Sequence, residues 1–340
     1  MRTPGPLTRS LLATGLVTAA DIHTHGIRAV DTSRSHDVVI VEVGDGRGYV
    51  VKQADHADDD TQGSPARERA IYRLATRHPE LAALAPLPRH IDNDILVLDY
   101  RAATRTVAEV AVDNGWYDGT LAAALGRTIA TWHRASRPYV DEVPAAGAPW
   151  IYRALDPERP AYTRTNVGVA RLLARLEVGP LVDWLPEQAD LWRTDTVIHG
   201  DLRFDNCLAG PDGQISFIDW ECTTQGDPAW DLGALIAELL SLSPATDAKS
   251  CAPILTGPAR LLLKAYAETT PARPAPAPPA PAPPVPAERV PAERVFDAAA
   301  ARLLLRAVQL AGRGDPTLDA ELDRHLALTM ALAFDSSVRP

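Results

Sequence analysis

The chain has 340 residues, 46% of them hydrophobic and 23% charged, with a formal net charge of −10 at neutral pH. That length is enough for a large core and for two domains or one bilobal unit. That charge excludes a broad nucleic-acid face, because phosphate backbones demand a basic surface, while remaining compatible with a cationic substrate.

At the N-terminus, Arg2 and Arg9 precede "LLATGLVTAA", which superficially resembles a secretion signal. Thr14, Gly15 and Thr18 interrupt the apolar run, so the expectation is one opening amphipathic helix. No stretch reaches the length of a membrane-spanning helix. Three cysteines, Cys207, Cys222 and Cys251, lack metal-ligand spacing, and their sparse, odd count suits a reducing, cytoplasmic setting. From Ile27 to Gln53 the β-branched runs "IRAV", "VVIVEV" and "YVVKQ" predict an antiparallel sheet, with loops at Asp31–His36 and Gly44–Gly48. "SPARERAIYRLATRH" opens with Ser-Pro and spaces its apolar residues as a capped helix does. "DILVLDY" (Asp94–Tyr100) reads as a strand buried on both faces. Beyond about residue 103 helical periodicity takes over, most clearly in Gly119–Ser136. The expected organisation is an N-terminal lobe over residues 1–100 and a helical lobe over 101–340. Within the latter, "PARPAPAPPAPAPPVPAERVPAER" (271–294) reads as an extended Pro/Ala spacer inserted between helices.

"VIHGDLRFDN" (Val197–Asn206) crowds one His, two Asp, one Arg and one Asn behind an apolar start. "ISFIDWE" (Ile215–Glu221) follows the turn signal Gly210-Pro-Asp-Gly213, so the two segments read as the arms of a hairpin that gathers carboxylates. Asp201, Asn206 and Asp219 supply hard oxygen atoms of the kind Mg²⁺ takes, and phosphoryl transfer needs little else beyond a base and a cation on the inner phosphates. Turn capping is the bland use of the same residues. His23 and His25 ("HTH") find no convincing third metal ligand in the sequence.

"HGDLRFDN" followed by "IDWE" resembles the aminoglycoside phosphotransferase family, with its choline and homoserine kinases, and more distantly the protein kinases. "DPAWDLG" (Asp227–Gly233), "LGRTIATWHRAS" and "LVLDY" extend the likeness over about residues 27–335, the Pro-rich insertion excepted. The resemblance implies an α+β, bilobal, protein-kinase-like fold, with a small antiparallel β-sheet lobe and a large helical lobe. It implies ATP and Mg²⁺ as cofactors. Asp201 would be the catalytic carboxylate, with Arg203 near the transferred phosphate. Asn206 and Asp219 would hold the metal. Lys52 would reach the α and β phosphates and pair with Glu68. The backbone of Asp99 to Arg101 would meet the adenine. Asp231 would brace the catalytic loop, and His199 would be structural.

"GDGRGY" (Gly44–Tyr49) looks like a phosphate-binding glycine loop but lies immediately before the strand bearing Lys52. It reads as a plain turn. The loop over the phosphates is then expected one hairpin earlier, at "DTSRSH", with Ser33, Arg34 and Ser35 offering backbone N–H groups. The acceptor stays open between the hydroxyl of a small molecule and Ser/Thr of a precursor peptide. The second reading follows from a likeness of the "SRSH" loop and "GYVVKQ" strand to enzymes of lanthipeptide- or thioamitide-type biosynthesis, which work with a partner lyase. A nucleotide-binding pseudokinase scaffold is the non-enzyme alternative.

Overall fold

Short β-branched runs and one hairpin build the first of two units, and amphipathic helices the second. The computed structural model of the chain describes residues 9, 11–32, 38–53, 63–92, 95–100, 104–114, 118–269 and 290–339. Its two compact units are Met1–Thr106 with Asn206–Thr223, and Val107–Asp205 with Thr224–Pro340.

In the first unit, β1 (Ile27–Asp31), β2 (Val38–Val43), β3 (Gly48–Gln53), β4 (Pro88–Ile91) and β5 (Ile95–Asp99) form one antiparallel sheet in the order β1-β2-β3-β5-β4. Alternation along β2 buries Val39, Val41 and Val43. Val51 and Val97, opposite one another in β3 and β5, are fully buried, which pins the register because a slip of one residue would expose that face. The sequence reading has no counterpart of β4. Its first residue is Pro88, a poor strand former that an edge position tolerates. Gly44–Gly48 is a turn as expected: Gly46 has φ +92° and donates to the Val43 carbonyl at 3.0 Å. The opening helix is broken rather than single. Residues 11–13 are helical, Gly15 takes φ +73°, and α1 (Ala19–His25) restarts behind a Thr18–Asp21 capping box. Leu11 and Val17 bury against the β2 and β3 valines. In α2 (Pro65–Arg77), Ser64 accepts from the Ala66 amide, Pro65 opens the first turn, and Ile71, Tyr72 and Leu74 are buried.

The hairpin starts later than its motif suggested. Its arms are Cys207–Ala209 and Ile215–Phe217, with Cys207 opposite Phe217. Thr196–Ile198, at the head of the polar decapeptide, pairs instead with Thr224–Gly226 in the second unit. Two polar segments that look like partners in sequence therefore each find another, because only the three residues nearest the Gly210–Gly213 turn are in register.

The second unit contains α3 (Val107–Asn114), α4 (Gly119–Ser136), α5 (Val167–Leu176), α6 (Leu181–Asp190), α7 (Pro228–Leu242), α8 (Arg260–Glu268), α9 (Ala292–Arg313) and α10 (Asp319–Phe334). Helix α4 spans the residues its periodicity predicts, capped by Asp118 on the Thr120 amide at 2.8 Å. Helix α6 was unmarked in sequence because Pro186 lies inside it. Helix α9 begins at Ala292, so the end of the expected spacer is helical. Pro291 sits at the cap, and Ala, Glu and Arg after it are good helix formers. The spacer's earlier part, through residue 289, lies outside the described residues. Among the described residues no helix is long and apolar enough to cross a membrane.

Helices α7 and α9 pack closely because Gly233 has no side chain. A Cβ there would meet the Ala299 amide at 2.6 Å and the Ala298 methyl at 2.7 Å. Replacing Gly233 with valine should cost about 1–3 kcal/mol by overpacking, read as a lower urea midpoint with an unchanged m-value.

Candidate active site

In the first unit, β3 pairs on both sides and holds Lys52 opposite Val38 and Leu96. Its Nζ donates to Glu68 Oε1 at 2.8 Å and to Asp219 Oδ1 at 2.7 Å. Glu68 stands in the first turn of α2 and is 3% exposed, so its carboxylate is viable only with a paired cation. Burial works to lower the Lys52 pKa, but the charges of Glu68 and Asp219 outweigh it and hold the ammonium above the ordinary lysine range. Tyr72, wholly buried beside them, has its hydroxyl pushed well up, by burial first and then by Glu68.

Asp219 follows the arm Ile215–Phe217, and Asn206 precedes the arm Cys207–Ala209, so both flank the open end of one hairpin. The Ile218 amide donates to the Asn206 carbonyl at 3.0 Å and keeps that end closed. Asp219 has φ +69°, and among the described residues it is the one non-glycine with positive φ. A carboxylate and an amide oxygen together make a donor set suited to Mg²⁺.

In the second unit, Asp231 organises the loop that carries Asp201. It is wholly buried in α7 and accepts from the amides of His199 at 2.8 Å and Gly200 at 3.0 Å. His133 of α4 adds its Nε2, 3.0 Å from the same carboxylate. Burial works to raise the Asp231 pKa, yet the His133 hydrogen bond, the charges of His133 and His199 and the backbone donation hold it below the ordinary carboxylate range. Asp201 itself meets Arg302 of α9, whose Nη2 donates to Oδ1 at 2.8 Å. The Arg302 guanidinium also donates to the Gly200 carbonyl at 3.2 Å and lies 5.1 Å from the Trp230 ring centroid. Arg203 donates to Asp205 at 3.4 Å. Arg302 escaped the sequence reading, because one arginine in a helix separated by 101 positions from its partner leaves no local signal.

The remaining expected site residues divide. Asp99 ends β5 with its carboxylate on Arg89 at 2.7 Å, and the next amide, that of Tyr100, donates to the Gly48 carbonyl at 2.9 Å. Ser33, Arg34, Ser35 and Arg101 lie outside the described residues. His25 does gain carboxylate neighbours that the sequence did not reveal, with Asp21 and Asp45 offering oxygens within 4.8 Å. Arg47 pairs with both carboxylates and offsets part of their charge.

Residues 26–277 match the phosphotransferase enzyme family. The choline kinase LicA of Streptococcus pneumoniae, solved in complex with AMP, has a TM-score of 0.54 at 16% identity, over 96% of this chain and 97% of that one. A thermostable mutant of aminoglycoside phosphotransferase APH(4)-Ia, solved with ADP and hygromycin B, has a TM-score of 0.50 at 16% identity, over 91% and 96% of the two chains. These likenesses establish the fold expected above, α+β and kinase-like. Acyl-CoA dehydrogenase family member 10 of Mus musculus is 37% identical over 54 residues, so this match spans 15% of the chain and 5% of that protein's length.

Because the folded pKa of Asp231 lies below its unfolded value, its contribution to stability is full above about pH 4 and declines as the pH falls through the folded value. Asp231→Asn should cost about 2–4 kcal/mol at pH 7 in urea unfolding, since it leaves buried donors poorly matched. The gap to the parent chain should narrow below about pH 4.

Proposed function

The chain belongs to the phosphotransferase enzyme family, and on that premise we propose that it moves the γ-phosphoryl group of ATP to the hydroxyl of a small molecule. The pairing of Lys52 with both Glu68 and Asp219 carries this reading, for it builds a largely buried cation beside a more exposed carboxylate. ATP is the phosphoryl donor and Mg²⁺ its companion ion. The bound AMP and ADP of the similar structures support the nucleotide. Lys52 contacts the inner phosphates while Glu68 holds it in place. Asn206 and Asp219 would supply oxygens to hold Mg²⁺, which when bound would neutralise phosphate charge. Asp201, oriented by Arg302, accepts the proton of the acceptor hydroxyl as its oxygen bonds to the γ-phosphorus. The bond from that phosphorus to the β–γ bridging oxygen breaks, and ADP departs. Asp231 is a positioning residue, acting through the amides of His199 and Gly200.

The test presents the purified chain with Mg²⁺, γ-labelled ATP and two acceptor pools, small hydroxylated amines and Ser/Thr-rich peptides. Label is expected in the small-molecule pool. Asp201→Asn should lower turnover by about 10²–10⁴-fold with ADP affinity unchanged, the usual worth of a positioned base. Asp219→Ala should abolish the rise in melting temperature that Mg-ATP gives the parent chain. Label on peptide alone would replace the small-molecule acceptor, and nucleotide binding without any transfer would make the chain a pseudokinase. Full turnover by Asp201→Asn would remove that residue from the chemistry.

A further inference from the structure

The second unit contains a cavity of about 730 Å³ that the reading above does not use, and neither Asp201 nor Arg302 lines it. Its size is that of a small-molecule site, roughly 300–1,000 Å³. The buried His133, Thr196 and Asp227 and the exposed Arg260 and Lys264 are among the residues that line it.

Its charge is opposite to that of the chain. Arg134, Arg137, Arg193, Arg260, Lys264 and Arg294 line it against only two carboxylates, Asp195 and Asp227, in a protein whose net charge is −10. The carboxylates are already engaged: Asp195 takes Arg193 at 3.0 Å and Arg137 at 3.8 Å, and Asp227 takes Arg294. Arg134 and Arg260 have no ion-pair partner among the described residues. One Arg134 nitrogen donates to the Tyr266 carbonyl at 3.0 Å, and the guanidinium lies 5.5 Å from the Tyr266 ring centroid. Its Nη1 is buried with no hydrogen-bond partner. An arginine at a cavity wall with no carboxylate partner is suited to an anion's oxygens, because its guanidinium presents several donors in one plane. Leu232, Leu263, Ala267 and Pro228 complete the wall with apolar surface.

We propose that this cavity is a second ligand site, for an organic anion that carries a carboxylate or phosphate on an apolar body. The anion faces Arg134 and Arg260, and the apolar body lies along Leu232 and Leu263.

Isothermal titration of the full chain with phenyl phosphate, 3-phenylpropanoate and the neutral 3-phenylpropanol tests this. At least one anion should bind one per chain, and the alcohol should not. Arg134→Gln and Arg260→Gln should each weaken the anion about tenfold, the worth of one charge-assisted hydrogen bond. Arg260 is exposed, so its variant reports even where Arg134→Gln fails to fold. Lys52→Ala and Asp201→Asn should leave the affinity unchanged, which separates this site from the one proposed for phosphoryl transfer. Failure of both anions to bind at millimolar concentration would overturn the proposal. So would affinity that is indifferent to both arginine changes, or lost in Lys52→Ala.

Discussion

The loop that presents Asp201 hangs from one buried carboxylate. Asp231 meets two consecutive backbone amides, those of His199 and Gly200, and a histidine from α4. Each of those donors would be costly to bury alone, and together they make the carboxylate's own burial tolerable. The exchange is mutual: the amides need an acceptor that no strand ladder supplies there, and Asp231 needs donors that α7 cannot give it. Trp230, the preceding residue, adds its indole N–H to the Gly200 carbonyl at 3.0 Å, so the peptide is held at both ends. Gly200 permits this turn, with φ +83°. Arg302 then fits over Trp230 and reaches Asp201, so that carboxylate inherits its place from a packed aromatic ring.

The first unit handles buried charge differently. Lys52 and Glu68 both lie largely out of water, and Asp219 brings a third charge from a separate hairpin. Three charges with one cation leave a negative excess. On the proposed reading, a divalent ion at Asp219 and Asn206 would balance that excess.

Much of this was legible in the sequence, for physical reasons that differ by element. The strands β1–β3 and the helices α2 and α4 show because their local preferences and their burial agree. The Lys52–Glu68 pair and the place of Asp231 came through the family resemblance, since nothing within a few residues of Lys52 names its partner. Helix α6 was hidden by Pro186, and β4 by Pro88, where tertiary packing overrides a poor local former. The hairpin arms lie closer to the turn than the polar motif implies, because three-residue strands carry little pattern of their own. Arg302 and the cationic cavity were invisible: both assemble from helices far apart in the chain, and arginines on amphipathic helices are ordinary.

Asp219 has one more consequence, for laboratory evolution. A left-handed backbone suits glycine best and asparagine next, so the carboxylate that the proposed chemistry asks for here is not the residue the backbone prefers. A library selected only for heat resistance would weigh relief of that backbone against loss of the Lys52 ion pair, and where the backbone won it would drift towards glycine or asparagine and, on the proposed role, away from turnover. Holding aspartate there through such a selection requires that turnover be scored along with survival.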